Sequence, residues 1–178
     1  PSRTSVNITG RFVVVSNRNT GWVTKVAANK ADCIDKNNNG VIDTSPDMRE
    51  QLLAARIDRL DAVLMTHEHA DQCHGIDDLR ALVIRHRKRM PVHMDQVTGD
   101  IVGQRFAYCF EGSGGYPAIL DKKVDLEDGQ VVRIEGPGGP VDILTLAQDH
   151  GGVQSLGFRI GTFAYCNDVV RLPEATLE

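Results

Sequence analysis

The chain has 178 residues, 41% hydrophobic and 25% charged, which suits one domain with a buried core. A formal net charge of -4 argues against nucleic acid as the main partner, and the sequence holds no run of membrane-span length and no signal-peptide pattern. The four cysteines, Cys33, Cys73, Cys109 and Cys166, make no C-x-x-C pair. That excludes a dense disulfide framework and predicts reduced, mostly buried thiols in a cytoplasmic protein.

Residues 5–8 and 11–15 read as strands around a Thr9-Gly10 turn, the second carrying the β-branched run Val13-Val14-Val15. Residues 21–28, with the only tryptophan, Trp22, read as a further strand. Residues 35–43 then follow the first nine positions of a calcium loop. Asp35, Asn37, Asn39 and Asp43 supply oxygen at positions 1, 3, 5 and 9, and Gly40 stands at position 6. Position twelve is Pro46, so the bidentate carboxylate is missing. Asn39-Gly40 is a strong turn dipeptide, and a hairpin turn is the preferred reading. A calcium-binding module at residues 35–46 is the alternative.

Ser45 followed by Pro46 predicts a helix start, with Asp47 and Glu50 in the first turn. Met48, Leu52, Leu53 and Ile57 recur at helical spacing and predict one core-facing stripe. The apolar run 61–65 predicts a buried strand, and it feeds Thr66-His67-Glu68-His69-Ala70-Asp71-Gln72-Cys73-His74-Gly75. In extended backbone, His67, His69 and Asp71 point to one side. Two neutral imidazoles and a carboxylate suit zinc, or iron or manganese. Cys73 lies in the same loop as a weaker ligand candidate.

Ile76, Leu79, Leu82 and Val83 predict an amphipathic helix over residues 76–89, closed by the basic run Arg85-His86-Arg87-Lys88-Arg89. That run complements the negative helix end, with a docking patch for an anionic substrate as the alternative. Residues 91–94 read as a strand with a structural His93. Residues 97–108 read as a helix weakened by Gly99 and Gly103. The glycine-rich loop 111–117 lacks the lysine and hydroxyl of a P-loop, so it reads as a rim loop rather than a nucleotide site. Strands are predicted at 118–126, 130–135, 141–147 and 156–167, with turns at Gly129, 136–140, Gly151-Gly152 and Gly161. Leu172-Pro173-Glu174 opens a last helix.

The blocks at Thr66–Gly75, Val41–Asp47, Gln148-Asp149-His150-Gly151 and Tyr165-Cys166-Asn167-Asp168 resemble the metallo-β-lactamase-fold metallohydrolases, whose signature reads T-H-x-H-x-D-H. The wording is most similar to the branch that includes cyclic-phosphate phosphodiesterases of phosphonate breakdown. The resemblance covers about residues 41–178. It implies an α/β fold, an αβ/βα four-layer sandwich, in a single domain over 1–178. Residues 10–40 would be an inserted β-hairpin, and both ends look trimmed. It implies a first metal on His67, His69 and His150, a second on Asp71, and Asp168 bridging them. Asp71 and Asp168 would be catalytic, and Asp43 would support a ligand histidine from behind. Gln72 stands where the signature has histidine and would offer only a weak carbonyl ligand. His74 is a substitute ligand or a supporting group.

Zinc is the expected metal, with manganese or iron as alternatives and a poorly occupied second site. The implied activity is a metal-dependent hydrolase, a phosphodiesterase acting on a small-molecule phosphoester through a metal-activated water. An inactive or metal-deficient member, or a fragment, is the competing reading. Shortened ends predict self-association into a homo-oligomer.

Overall fold

Apolar side chains alternate along the strands, and the two faces they create assemble the molecule. The structure, a computed structural model, describes residues 12–16, 23–25, 39–161 and 163–177. The first sheet contains β1 (Phe12–Ser16), β2 (Val23–Lys25), β3 (Asn39–Ile42), β4 (Ala62–Leu64), β5 (Met90–Met94) and β6 (Leu120–Val124). Its order is β2-β1-β3-β4-β5-β6. β1, β3, β4, β5 and β6 run parallel, and β2 pairs antiparallel with β1 at one edge.

Parallel neighbours need crossover connections, and helices supply them. α1 (Met48–Ala54) joins β3 to β4. α2 (Ala70–Cys73), a 3-10 turn (Ile76–Asp78) and α3 (Leu79–His86) join β4 to β5. α4 (Gln96–Arg105) and α5 (Ala107–Glu111) join β5 to β6. Met48, Leu52, Leu79, Val83 and Val102 from these helices bury against Val41, Val63 and Val92 of the sheet.

The opposite face of the first sheet presents Ile42, Ala62 and Leu64 to a second, antiparallel sheet. That sheet holds β7 (Val131–Ile134), β8 (Val141–Asp149), β9 (Gln154–Ile160) and β10 (Phe163–Tyr165), in the order β10-β9-β8-β7. Leu156, Phe158, Phe163 and Tyr165 fill the space between the sheets. α6 (Glu174–Leu177) lies against β8, where the Thr176 hydroxyl donates to the Ala147 carbonyl at 3.0 Å. Two facing sheets with helices outside are the predicted α/β sandwich.

Several local expectations are corrected. Asn39-Gly40 is not a turn: both residues belong to β3, where Asn39 pairs with Phe12 and Gly40 with both Val13 and Ala62. Asp35 and Asn37 of the proposed calcium loop, Trp22 and the strand at 5–8 lie outside the described residues. Asp43, the ninth calcium-loop position, is fully buried and bonded to Thr66, so its carboxylate is committed elsewhere. α1 has Asp47, not Ser45, at its N-terminal boundary, and Leu53 is 68% exposed. The predicted helix at 97–108 is split at Phe106 and opened by Asp95, whose side chain accepts from Thr98 N at 2.7 Å. Gly99 permits the close approach of α4 to β6: a Cβ there would press on Val124 and Lys122.

Candidate metal centre

Chain segments that leave strands at one edge of the sandwich supply the site. Asp43 follows β3, His67 and His69 follow β4, His150 follows β8, and Asp168 follows β10. Open parallel sheets place ligands at the carboxyl ends of their strands, where loops are free to diverge. Two of these residues hold left-handed backbone: Asp43 at φ 61° and Asp168 at φ 47°. Non-glycine residues rarely adopt this region, and its recurrence at a site marks backbone held by its surroundings.

The loops are tied together by main-chain bonds. Thr44 N donates to Gln72 O at 2.7 Å and Gly75 N donates to Thr44 O at 2.8 Å, locking the loop after β3 to the helix after His69. A Cβ on Gly75 would run into the Ser45 carbonyl, so this approach requires glycine. Leu156 N donates to Thr66 O at 2.9 Å and joins the second sheet to the start of the histidine loop. Val170 N donates to Asp149 O at 2.8 Å and Asp149 N to Arg171 O at 3.0 Å, bringing the segment after Asp168 against His150.

Three imidazoles converge within this frame. Their ring centroids lie 4.5 Å apart for His67 and His69, 5.1 Å for His67 and His150, and 5.2 Å for His69 and His150. One nitrogen from each falls within 4.8 Å of the other two. His67 Nε2 and His69 Nδ1 are 3.0 Å apart. Two nitrogens sharing one tetrahedral zinc, each at about 2.0–2.1 Å, would sit roughly 3.3 Å from one another, so the spacing suits a common ion. Among the described residues, His150 Nδ1 is buried without a hydrogen-bond partner. Burial, then the neighbouring His69 and His150, push the His67 pKa down and keep that ring neutral, as a metal ligand must be. The residues present therefore fit a metal ion.

Asp43 supports the triad at one remove. Its Oδ1 accepts from Thr66 N at 2.7 Å, and its two oxygens receive the Thr66 hydroxyl at 3.0 and 2.9 Å. Thr66 Oγ1 in turn lies 3.0 Å from His67 Nδ1. A hydroxyl has one hydrogen. Giving it to Asp43 leaves its lone pair to accept from His67 Nδ1–H, which frees Nε2 for a ligand role. Thus Asp43 reaches the histidine through Thr66 rather than directly. Burial pushes the Asp43 carboxyl up to about 8, against the pull of the Thr66 hydrogen bonds. Asn167 Nδ2 also donates to Asp43 Oδ2, at 3.4 Å.

Other candidates are placed differently from their sequence reading. Asp71 does not continue an extended strand: the chain turns helical at Ala70, and Asp71 sits in the first turn of α2. Gln72 is buried, and its side chain presents nitrogen, not the carbonyl oxygen expected. Its Nε2 donates to Asp168 Oδ2 at 3.0 Å and to Asp71 Oδ2 at 3.3 Å. His74 is exposed at the end of α2, edge-on to Phe106 at 5.8 Å, and is outside the histidine cluster. Cys73 packs in the core with its thiol donating to Glu68 O. His93 bonds Asp125 at 2.9 Å in the structural role expected of it. Thr66 is legible only as the first position of the signature and Gly75 only as the end of the histidine-rich loop, with no signal for their contacts.

The family model described as "Beta-lactamase superfamily domain" matches residues 38–178. A curated relative, an octanoyltransferase of Porphyromonas gingivalis, is 34% identical over 139 residues; the match covers 78% of this chain and 27% of the relative. A solved structure described as a new diphosphatase from the PhnP family aligns with TM-score 0.64 and 28% identity, over 76% of this chain and 50% of that one. The metallo-β-lactamase fold protein YhfI from Bacillus subtilis aligns with TM-score 0.51 and 20% identity, over 69% of this chain and 46% of that one. The last likeness concerns the fold alone. The chain thus spans about a quarter to a half of the length of these proteins.

Proposed function

We infer the function from one premise: this chain belongs to the beta-lactamase superfamily whose domain model covers its residues 38–178. The reading is metal-dependent hydrolysis of a small phosphoester, a phosphodiesterase-type reaction, with zinc as the metal. The observation that carries it is the convergence of His67, His69 and His150, with ring nitrogens of the first two 3.0 Å apart. The likeness to a PhnP-family diphosphatase supports phosphorus, rather than carbon, as the atom attacked.

A metal at the triad would supply Lewis acidity, acidifying water and offsetting charge on phosphoryl oxygens. The chain's own residues do the rest. Thr66, held by Asp43, fixes the His67 ring and its tautomer. Asp71 orients the attacking water and accepts its proton. Asp168, in the turn after β10, would join the three histidines as a carboxylate ligand. Gln72 holds both carboxylates in one orientation.

The test is zinc content. His69→Ala should lose most of the zinc that the unaltered chain retains after dialysis, as read by elemental mass spectrometry. Unchanged zinc in that variant would sink the assignment. Hydrolysis of an acyl ester is a second reading, favoured by the octanoyltransferase relative alone. Turnover of p-nitrophenyl octanoate above that of bis(p-nitrophenyl) phosphate would select it.

A further inference from the structure

We propose that the Gln72 side-chain amide takes the place of a second cation between Asp71 and Asp168, so that the centre holds a single metal ion. The proposal rests on the triad reading above and concerns the ground beside it. Asp71 comes from α2 and Asp168 from the turn after β10, separated by 97 positions in the sequence yet held by one –NH2 group. Two carboxylates brought together next to a metal repel, and a positive group between them offsets that repulsion. In a site of two metals, a divalent ion is that group. Here the neutral –NH2 of Gln72 takes that position, and the partial positive charge on its hydrogens serves both carboxylates through hydrogen bonds of 3.3 and 3.0 Å.

The placement of Gln72 is fixed by its backbone. Its N donates to His69 O at 3.0 Å and its O accepts from Thr44 N at 2.7 Å. The Thr44 hydroxyl adds a contact of 3.4 Å to the same carbonyl. The residue is only 5% exposed, so the amide has little room to swing aside. A cation entering between Asp71 and Asp168 must break both charge-assisted hydrogen bonds and turn the nitrogen away from the carboxylates. The amide therefore competes with a cation for the same oxygens. This differs from Gln72 being merely a poor ligand, and the difference can be measured.

The experiment is zinc titration of metal-stripped protein, followed by native mass spectrometry and chelator competition. The unaltered chain should take up one equivalent. Gln72→Leu removes the donor without adding a ligand, so it separates the two accounts. If the amide competes, the second equivalent binds at least tenfold tighter than in the unaltered chain. If Gln72 were a weak ligand, the same change would loosen it, and that result overturns the proposal. Gln72→Glu, which keeps the length and replaces the donor by an acceptor, should also gain a second equivalent. Retention of the first equivalent in each variant shows that the triad is intact. Two tight equivalents in the unaltered chain would contradict the proposal and leave the triad standing. His69→Ala with undiminished zinc would instead remove the triad reading itself.

Discussion

His67 illustrates how one residue's chemistry depends on a neighbour 24 positions earlier. Asp43 holds the Thr66 hydroxyl, and Thr66 holds the His67 ring, so the free nitrogen is the one that faces His69. Removing the hydroxyl while keeping the shape isolates this link. Thr66→Val should weaken zinc binding by roughly 10- to 100-fold, the usual range for losing a partner behind a metal-binding histidine. Chelator competition measures it directly, and an unchanged zinc affinity would show that the hydroxyl does not set the tautomer. The histidines themselves were legible in the sequence because His67 and His69 sit two apart after an apolar run. The Asp43–Thr66 contact was not, because it joins separate strands. Nor was the orientation of Gln72, since an amide offers a donor or an acceptor and the neighbouring carboxylates decide which.

At the level of elements, periodicity predicted most of the strands and helices, and tertiary packing redrew their ends. Val41 and Ile42 are adjacent, yet one faces the helices and the other the second sheet, as a strand's alternation requires. Leu53 fits the helical stripe by residue type but points outward, because α1 ends at Ala54 and only Met48 and Leu52 of that stripe within it reach the sheet. Asn39-Gly40 looked like a turn because those residues dominate turns, and pairing with β1 and β4 overrode that preference. Gly75 is a close-contact position that no local pattern signals. Gly75→Ala forces a methyl against the Ser45 carbonyl, which belongs to the backbone and cannot rotate away. The expected cost is about 1–3 kcal/mol, visible as a lower midpoint of thermal or denaturant unfolding of metal-free protein. Stability equal to the unaltered chain would mean that the loops after β3 and β4 are not locked together as described.

Taken whole, the molecule concentrates its chemistry at one edge of a two-sheet frame. Helices cover one face of the parallel sheet, and the second sheet covers the other. The β1–β2 pair lies at one end of the first sheet, and β6 lies at the other end with Asp121, Lys122 and Lys123 along it. Charged side chains on an outer strand discourage pairing with a second chain. Among the described residues, no helix is long and apolar enough to cross a membrane. In the basic run that closes α3, Arg85 is paired to Asp58 and Arg89 to Asp121. Arg85 and His86 lie in the last turn of α3, where positive charge complements the negative helix end.

The central claim is that His67, His69 and His150 hold a metal that makes this chain a phosphoester hydrolase. The most direct measurement is turnover of bis(p-nitrophenyl) phosphate by metal-stripped protein before and after adding one equivalent of zinc, with His69→Ala in parallel. The account predicts negligible turnover when stripped, recovery with the single equivalent, and at least a 100-fold lower rate in His69→Ala at the same zinc concentration, as expected when a catalytic metal loses a ligand. Turnover that survives stripping, or that is equal in the variant and the unaltered chain, would contradict it.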